Sequence, residues 1–421
     1  MAAEEELHSW KEIARHLGVS VRTAQAWEHV RALPVQRLRG PRGRVSASVA
    51  ELDAWRANEV ARPTTVVESN GFESGQPVKD DPANTPAESP RGRPLGRFLL
   101  GVPLVAAAVV LATFLRGLPG SPTAYRVESN AFVALDSHSR ESWRKPFPSL
   151  CTECYTHREL VWMGELDGER AVLFAAVSSR REDQPVLVCY TAGGRERWRF
   201  TPGRTVHTRA ESFQPPFGVS RFLVGRFGRE GKMGILVTGF HYLYYPCQVA
   251  LLSTDGRVLR EYWHSGHLNH AIVLDGGTRV LLGGVNNAAK AATLVSLDPD
   301  TMNGASVEQD LDYQLEGFAP GAELARLIFP RSDLNKRLEP YVIMDSLWKR
   351  GEEVTALINQ RLPPRSADLY YHFNLDLTLR TMVVGSGFEQ NHAELFANRV
   401  LDHGLNPGEI GELRQLRVVG R

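Results

Sequence analysis

Three groups of residues in this 421-residue chain have types and spacing that could do chemistry. Cys151 and Cys154 form a Cys-x-x-Cys pair, which can serve as a redox dithiol, as half of a zinc site or as part of a disulfide set. Cys189 and Cys247 stand too far apart to give the second close pair of a zinc ribbon. Disulfides among Cys151, Cys154, Cys189 and Cys247 are therefore favoured, with redox or metal use and free core thiols as alternatives. His264, His267 and His270 lie near His241, Tyr242, Tyr244 and Tyr245. They would fan out on a helix and alternate faces on a strand, so they read as solvated or hydrogen-bonded loop histidines. The third group is basic: Arg37, Arg39, Arg42 and Arg44 fall within residues 33–46, which hold no acidic residue. No nucleophile elbow, Walker loop, His-Glu-x-x-His or paired-carboxylate pattern is present, so no enzyme, metal site or cofactor is expected.

The arginines sit among elements that can be read locally. Ser9 with Glu12 and Ser48 with Glu51 form capping-box patterns, each ahead of a short amphipathic helix, and Ser20 caps a helix between them. Gly18 suits the positive φ that ends one helix and turns tightly into the next. On that second helix Ala24 and Trp27 share the inward face, leaving Arg22, Thr23, Gln25 and Ala26 outward; these side chains suit base edges. Val35, Leu38 and Val45 alternate around a Gly-Pro-Arg-Gly turn, a hairpin whose arginines would track phosphates.

The stretch WKEIARHLGVSVRTAQAWE at 10–28, the Arg/Gly hairpin and ELDAW at 51–55 together resemble the MerR/excisionase-type winged helix-turn-helix. The resemblance implies a DNA-binding domain over 1–61, with Arg22, Thr23, Gln25 and Ala26 in the major groove and Arg42 and Arg44 on the backbone or minor groove. The long dimerisation helix of the MerR family is missing, and a helical module that binds protein is the alternative.

Residues 62–97 are rich in Pro, Ser, Asn, Glu and Asp, a composition that reads as a disordered linker. The uncharged run at 98–115, bounded by Arg97 and Arg116, would be about 27 Å long as a helix, which suits a single transmembrane helix over 98–116. Arg91, Arg93 and Arg97 precede it, against Arg116 and Arg126 after it, so the N-terminus is expected in the cytoplasm. With cysteines confined to the region beyond the span, the C-terminal part is expected to face the periplasm or exterior. The 49 basic and 48 acidic residues balance, so overall charge does not point to a nucleic-acid coat.

Residues 121–421 alternate short apolar runs with Gly/Asp/Asn turns, an all-β pattern. A strand, turn, strand, Trp unit recurs at 132–143, 186–198 and 250–263, with weaker copies at 293–298 and 371–376. The unit resembles blades of pyrroloquinoline-quinone-type β-propellers, and 164–174 and 225–237 resemble worn FG-GAP loops whose calcium-binding acids are mostly gone. The expected architecture is multidomain: a small α winged helix-turn-helix, a single transmembrane helix and an all-β extracytoplasmic domain, with a β-propeller favoured over a sandwich or mixed β domain. The expected function is a membrane-anchored one-component DNA-binding transcriptional regulator of the inner membrane. Its partners would be DNA, the membrane, an extracytoplasmic ligand or protein, and other copies of itself. An envelope scaffold or a quinoprotein-like periplasmic enzyme is the alternative.

Overall fold

The computed structural model describes residues 6–17, 33–37, 45–54, 120–155, 159–178, 185–242, 245–360 and 366–419. The chain divides into two compact units, Met1–Val105 and Ala106–Arg421.

In the first unit Ser9 caps helix α1 (Trp10–Leu17), accepting from the Glu12 amide at 3.2 Å. The Glu12 carboxylate reaches back to the His8 amide at 2.8 Å, so the acid three residues on satisfies a neighbouring donor. Ile13, Ala14 and Leu17 of α1 pack with Leu33, Val45, Ala47 and Leu52. Val45–Ser48 is the central strand of a small antiparallel sheet, between Glu6–Leu7 and Gln36–Arg37. Residues 49–54 are helical, and the Ser48 hydroxyl accepts from the Glu51 amide at 3.5 Å.

The second unit is a succession of antiparallel sheets, each following the chain. The first holds Ala124–Glu128, Ala131–Leu135 and Glu141–Pro146; the second holds Val161–Leu166, Glu169–Ala176, Val186–Thr191 and Glu196–Phe200. The third is Phe217–Phe227, Lys232–His241, Cys247–Ser253 and Val258–His264. Gly266–Leu274, Arg279–Asn286, Ala291–Leu297 and Glu323–Ile328 make the fourth, to which the C-terminal strand Arg417–Val419 adds at the edge. Ile343–Arg350, Glu353–Asn359, Asp368–Asn374 and Leu379–Val384 make the fifth. Inner strands such as Ala291–Leu297 are buried at every residue because a neighbouring sheet covers each face, hence their continuous apolar composition.

The recurring tryptophan joins one sheet to the next. Trp143 Nε1 donates to the Ala192 carbonyl at 2.8 Å, and Trp198 Nε1 to the Thr254 carbonyl at 2.8 Å. Each indole lies over a turn glycine with positive φ, Gly194 under Trp143 and Gly256 under Trp198, where an added Cβ would stand 2.7 and 2.6 Å from the ring. Trp263 closes the third unit differently: it is fully buried among Phe217, Phe318 and the Arg204 guanidinium.

Several expectations need correction. Among the described residues no helix is long and apolar enough to cross a membrane. The longest, Ser386–Ala397, has 12 residues, about 18 Å at helical rise against the roughly 30 Å of a bilayer core. The linker 62–97 and the expected span 98–116 lie outside the described residues. The single-span architecture, its inner-membrane topology and the membrane as a partner are accordingly set aside, and so is the regulator reading built on them. The closed propeller is corrected as well. Each core cluster of the β region joins sheets adjacent in sequence, and none among the described residues joins the first sheet to the fifth. Local periodicity announces the strands, but ring closure depends on contacts between sequence-distant ends.

Candidate metal centre

Three short helices pack beside the fourth and fifth sheets: α2 (Asp333–Leu338), α3 (Ser386–Ala397) and α4 (Pro407–Leu413). Each start has a local cause. Ser332 Oγ accepts from the Asn335 amide at 3.1 Å to cap α2, while its own amide donates to the Gln360 Oε1 at 3.0 Å. Asn406 caps α4 by accepting from the Glu409 amide at 3.1 Å, with Pro407 at the first helical position. On α3, Phe388, Asn391 and His392 form the buried face, and Phe388 and Leu413 reach the same hydrophobic core. The Tyr371 hydroxyl donates to the Leu413 carbonyl at 2.7 Å and so ties the end of α4 to the fifth sheet.

This packing brings His392, His403 and Glu409 together, with one ligand-capable atom from each within 4.8 Å of the others. His392 Nε2 lies 2.8 Å from Glu409 Oε2, and the two side chains are 0 % and 3 % exposed. The other Glu409 oxygen accepts from the Asp333 amide at 3.0 Å. His403 is half-exposed, its Nε2 3.2 Å from Asp333 Oδ2, and its ring centre is 5.7 Å from that of His392. The Gly404 carbonyl and the Asp333 carboxylate raise the His403 imidazole above its ordinary value, and Lys336 Nζ, 2.8 Å from Asp333 Oδ1, holds that carboxyl below its own.

Two readings fit the positions. As a hydrogen-bonded junction, Glu409 links the start of α2 to α3. As a metal centre, the two imidazoles and the carboxylate offer an N₂O donor set of the kind zinc takes. The His392–Glu409 contact would have to open only from 2.8 Å to about 3.3 Å, the ligand separation of a tetrahedral site with ~2.0–2.1 Å bonds. His392 Nδ1 is buried with no hydrogen-bond partner in either reading, since the metal would take Nε2.

The residues singled out from sequence lie elsewhere. Arg22, Thr23, Gln25, Ala26, Arg39, Arg42 and Arg44 fall outside the described residues; Arg37 sits in the strand Gln36–Arg37. Of the disulfide candidates, Cys151 and Cys154 are bonded to each other across a 3₁₀ turn, whereas Cys189 and Cys247 are buried free thiols in different sheets. Burial pushes Cys189 up to about 11 and Cys247 up to about 12. The histidines at 264, 267 and 270 do not converge. His264 is buried beside the Tyr262 hydroxyl, His267 Nε2 meets Ser220 Oγ at 2.8 Å, and His270 Nε2 meets the Met344 carbonyl at 3.2 Å. The cluster at His392, His403 and Glu409 escaped sequence reading because its members belong to a helix, a loop and a second helix, with no motif spacing. The Asn-Pro-Gly-Glu start of α4 was the available signal.

No protein-family model matches the chain, and no curated protein matches it. Among solved structures, one titled "Crystal structure of the eukaryotic initiation factor" aligns with 62 % of this chain and 62 % of its own, at 7 % identity and a TM-score of 0.29. A likeness of that size carries no argument about fold or function.

Proposed function

We propose that this chain binds a divalent transition metal of the zinc class through His392, His403 and Glu409, and that the ion fastens α2, α3 and α4 against the β region. The observation that supports this reading is the buried His392–Glu409 pair with a second imidazole within ligand distance. Imidazole nitrogen with a single carboxylate favours zinc over calcium or magnesium, which prefer all-oxygen shells. Asp333 holds His403 Nε2, so Nδ1 is the nitrogen a metal would take, in exchange for its contacts with the Gly404 carbonyl at 2.9 Å and Asn406 Nδ2 at 3.1 Å. The role is structural: α4 leads directly into Arg417–Val419, so fastening α4 also fastens the strand that finishes the fourth sheet.

The test is metal content and affinity of the chelator-treated full chain, measured by elemental analysis and zinc titration, beside His392→Gln and His403→Gln variants. Glutamine at 392 keeps a donor toward Glu409 and so preserves the junction. One zinc per chain, lost in both variants while the fold persists by circular dichroism, is the expected result. Equal zinc uptake by the wild-type chain and both variants would reduce the cluster to a hydrogen-bonded junction. For the first unit, the resemblance to a winged helix-turn-helix remains a proposal about fold alone. It is supported by helix α1 packing its apolar face with residues of the 36–37/45–48 hairpin region.

A further inference from the structure

A second site lies beside the segment that leads into α2. A cleft of about 480 Å³, within the size range of small-molecule sites, opens along the edge of the fourth sheet where Arg417–Val419 is added. Its apolar lining includes the half-buried Ala288 and Ala289, with Ala291, Ile328 and Phe329 buried behind them. Polar groups line the rest, and their charges are unevenly matched.

In the cleft lining, Arg326 is 2 % exposed and paired with two acids. Its Nη1 donates to Glu308 Oε1 at 2.8 Å, its Nη2 donates to the Val307 carbonyl at 2.6 Å, and its Nε is 3.2 Å from Glu323 Oε2. Asn286 Nδ2 donates to the same Glu308 oxygen at 2.9 Å. One Glu308 oxygen is thus taken by both Arg326 and Asn286. The other two cations lining the cleft have only neutral acceptors. Arg331 Nε donates to Asn335 Oδ1 at 2.6 Å and its Nη2 to the Glu339 carbonyl at 2.5 Å; Arg417 Nη1 donates to Gln309 Oε1 at 3.1 Å. Neither makes an ion pair among the described residues. Desolvation holds the Arg331 guanidinium below its ordinary value, the sign of a cation withdrawn from water without a counter-charge. The one remaining acid, Asp310, is exposed and accepts from the Asp312 amide at 3.1 Å in its own turn.

We propose that this cleft binds a small organic carboxylate, whose apolar body rests on Ala288 and Ala289 and whose carboxylate meets Arg331 and Arg417. Guanidinium forks match a carboxylate in two parallel hydrogen bonds, and a partly desolvated arginine gains most from such a partner. The apolar side selects against a bare inorganic anion, which would leave that surface in water. This inference does not rest on the metal reading, since none of the three proposed ligands lines the cleft.

The experiment uses the full chain and titrates benzoate, hexanoate and inorganic phosphate by calorimetry and ligand-observed NMR, at fixed ionic strength. Benzoate and hexanoate should bind saturably, and phosphate at least roughly tenfold more weakly. Arg417→Gln is exposed and should weaken benzoate by roughly tenfold or more, the loss expected for a charge-assisted hydrogen bond. Asp310→Asn should tighten it, because removing the one acid not spent on Arg326 raises the local potential. That readout separates a charge effect from a structural one. Benzoate that fails to saturate, or binds the wild-type chain and Arg417→Gln alike, overturns the site. Phosphate binding as tightly as benzoate overturns the carboxylate assignment.

Discussion

Replacing Gly256 with alanine should loosen the joint between the second and third sheets far more than the same change at another turn glycine. Gly256 has φ of +85°, and a Cβ there would stand 2.6 Å from the Trp198 indole. Gly168 has nearly the same backbone, φ of +80°, but an added Cβ would meet nothing within 4 Å. Both substitutions carry the left-handed backbone penalty, about 1–2 kcal/mol. Only Gly256→Ala also pushes on the indole that donates to the Thr254 carbonyl, an overpacking cost of about 1–3 kcal/mol. Gly168→Ala should thus lose about 1–2 kcal/mol and Gly256→Ala about 2–5 kcal/mol. Urea unfolding of the full chain, followed by tryptophan fluorescence, measures both. In a Trp198→Leu background the indole is gone, and Gly256→Ala should fall back to the Gly168→Ala value. A coupling between positions 198 and 256 below about 0.5 kcal/mol, the level at which independent sites add, would refute the idea that the recurring Gly and Trp form the inter-sheet joint.

Stability should fall on mild acidification, because burial lowers His241 and His270 to about 4 and drives His264 well below the ordinary imidazole value. These rings stay neutral in the folded chain while the unfolded chain takes up protons below about 6.5, so stability present at neutral pH is lost between about 6.5 and 4, by about 3 kcal/mol for each ring shifted to about 4. The urea midpoint measured from pH 7.5 to 4.5 should show this slope, and His270→Gln should flatten it; an unchanged slope in the variant would assign the effect to other groups. Arg326→Met leaves Glu308 and Glu323 facing each other without their cation and should cost about 3–5 kcal/mol, with most of the loss recovered when both acids become glutamine. After mild reduction of the native chain, a thiol reagent at pH 8 should label Cys151 and Cys154 only, with Cys189 and Cys247 reacting once denaturant is added. Labelling of Cys247 in the folded chain would contradict its complete burial.

Much of the local structure was legible because its causes are local. Ser9 and Ser48 announced helix starts, the Thr/Asp/Gly turns announced hairpins, and the strand, turn, strand, Trp unit marked the last two strands of the first three sheets. Its weaker copies at 293–298 and 371–376 also fall on strands. The histidines at 264, 267 and 270, read as loop residues, lie instead in the strands Val258–His264 and Gly266–Leu274, each with its own hydrogen-bond partner. The cysteine reading went partly astray. Cys189 and Cys247 occupy apolar interior positions of different sheets, where a thiol packs as a small hydrophobe, and only the neighbouring pair closes.

By itself, then, the sequence determined the β-rich character of the second unit, the hairpin-and-helix content of the first, and the turns that separate them, because period, caps and turn residues act over a few positions. Tertiary structure alone decided that the sheets stack in sequence and that no described helix can cross a membrane. It alone brought His392, His403 and Glu409 into one cluster and left Arg331 and Arg417 facing a cleft without carboxylate partners. Those outcomes depend on which sequence-distant surfaces exclude water together. A pattern read along the chain carries no distance between such surfaces.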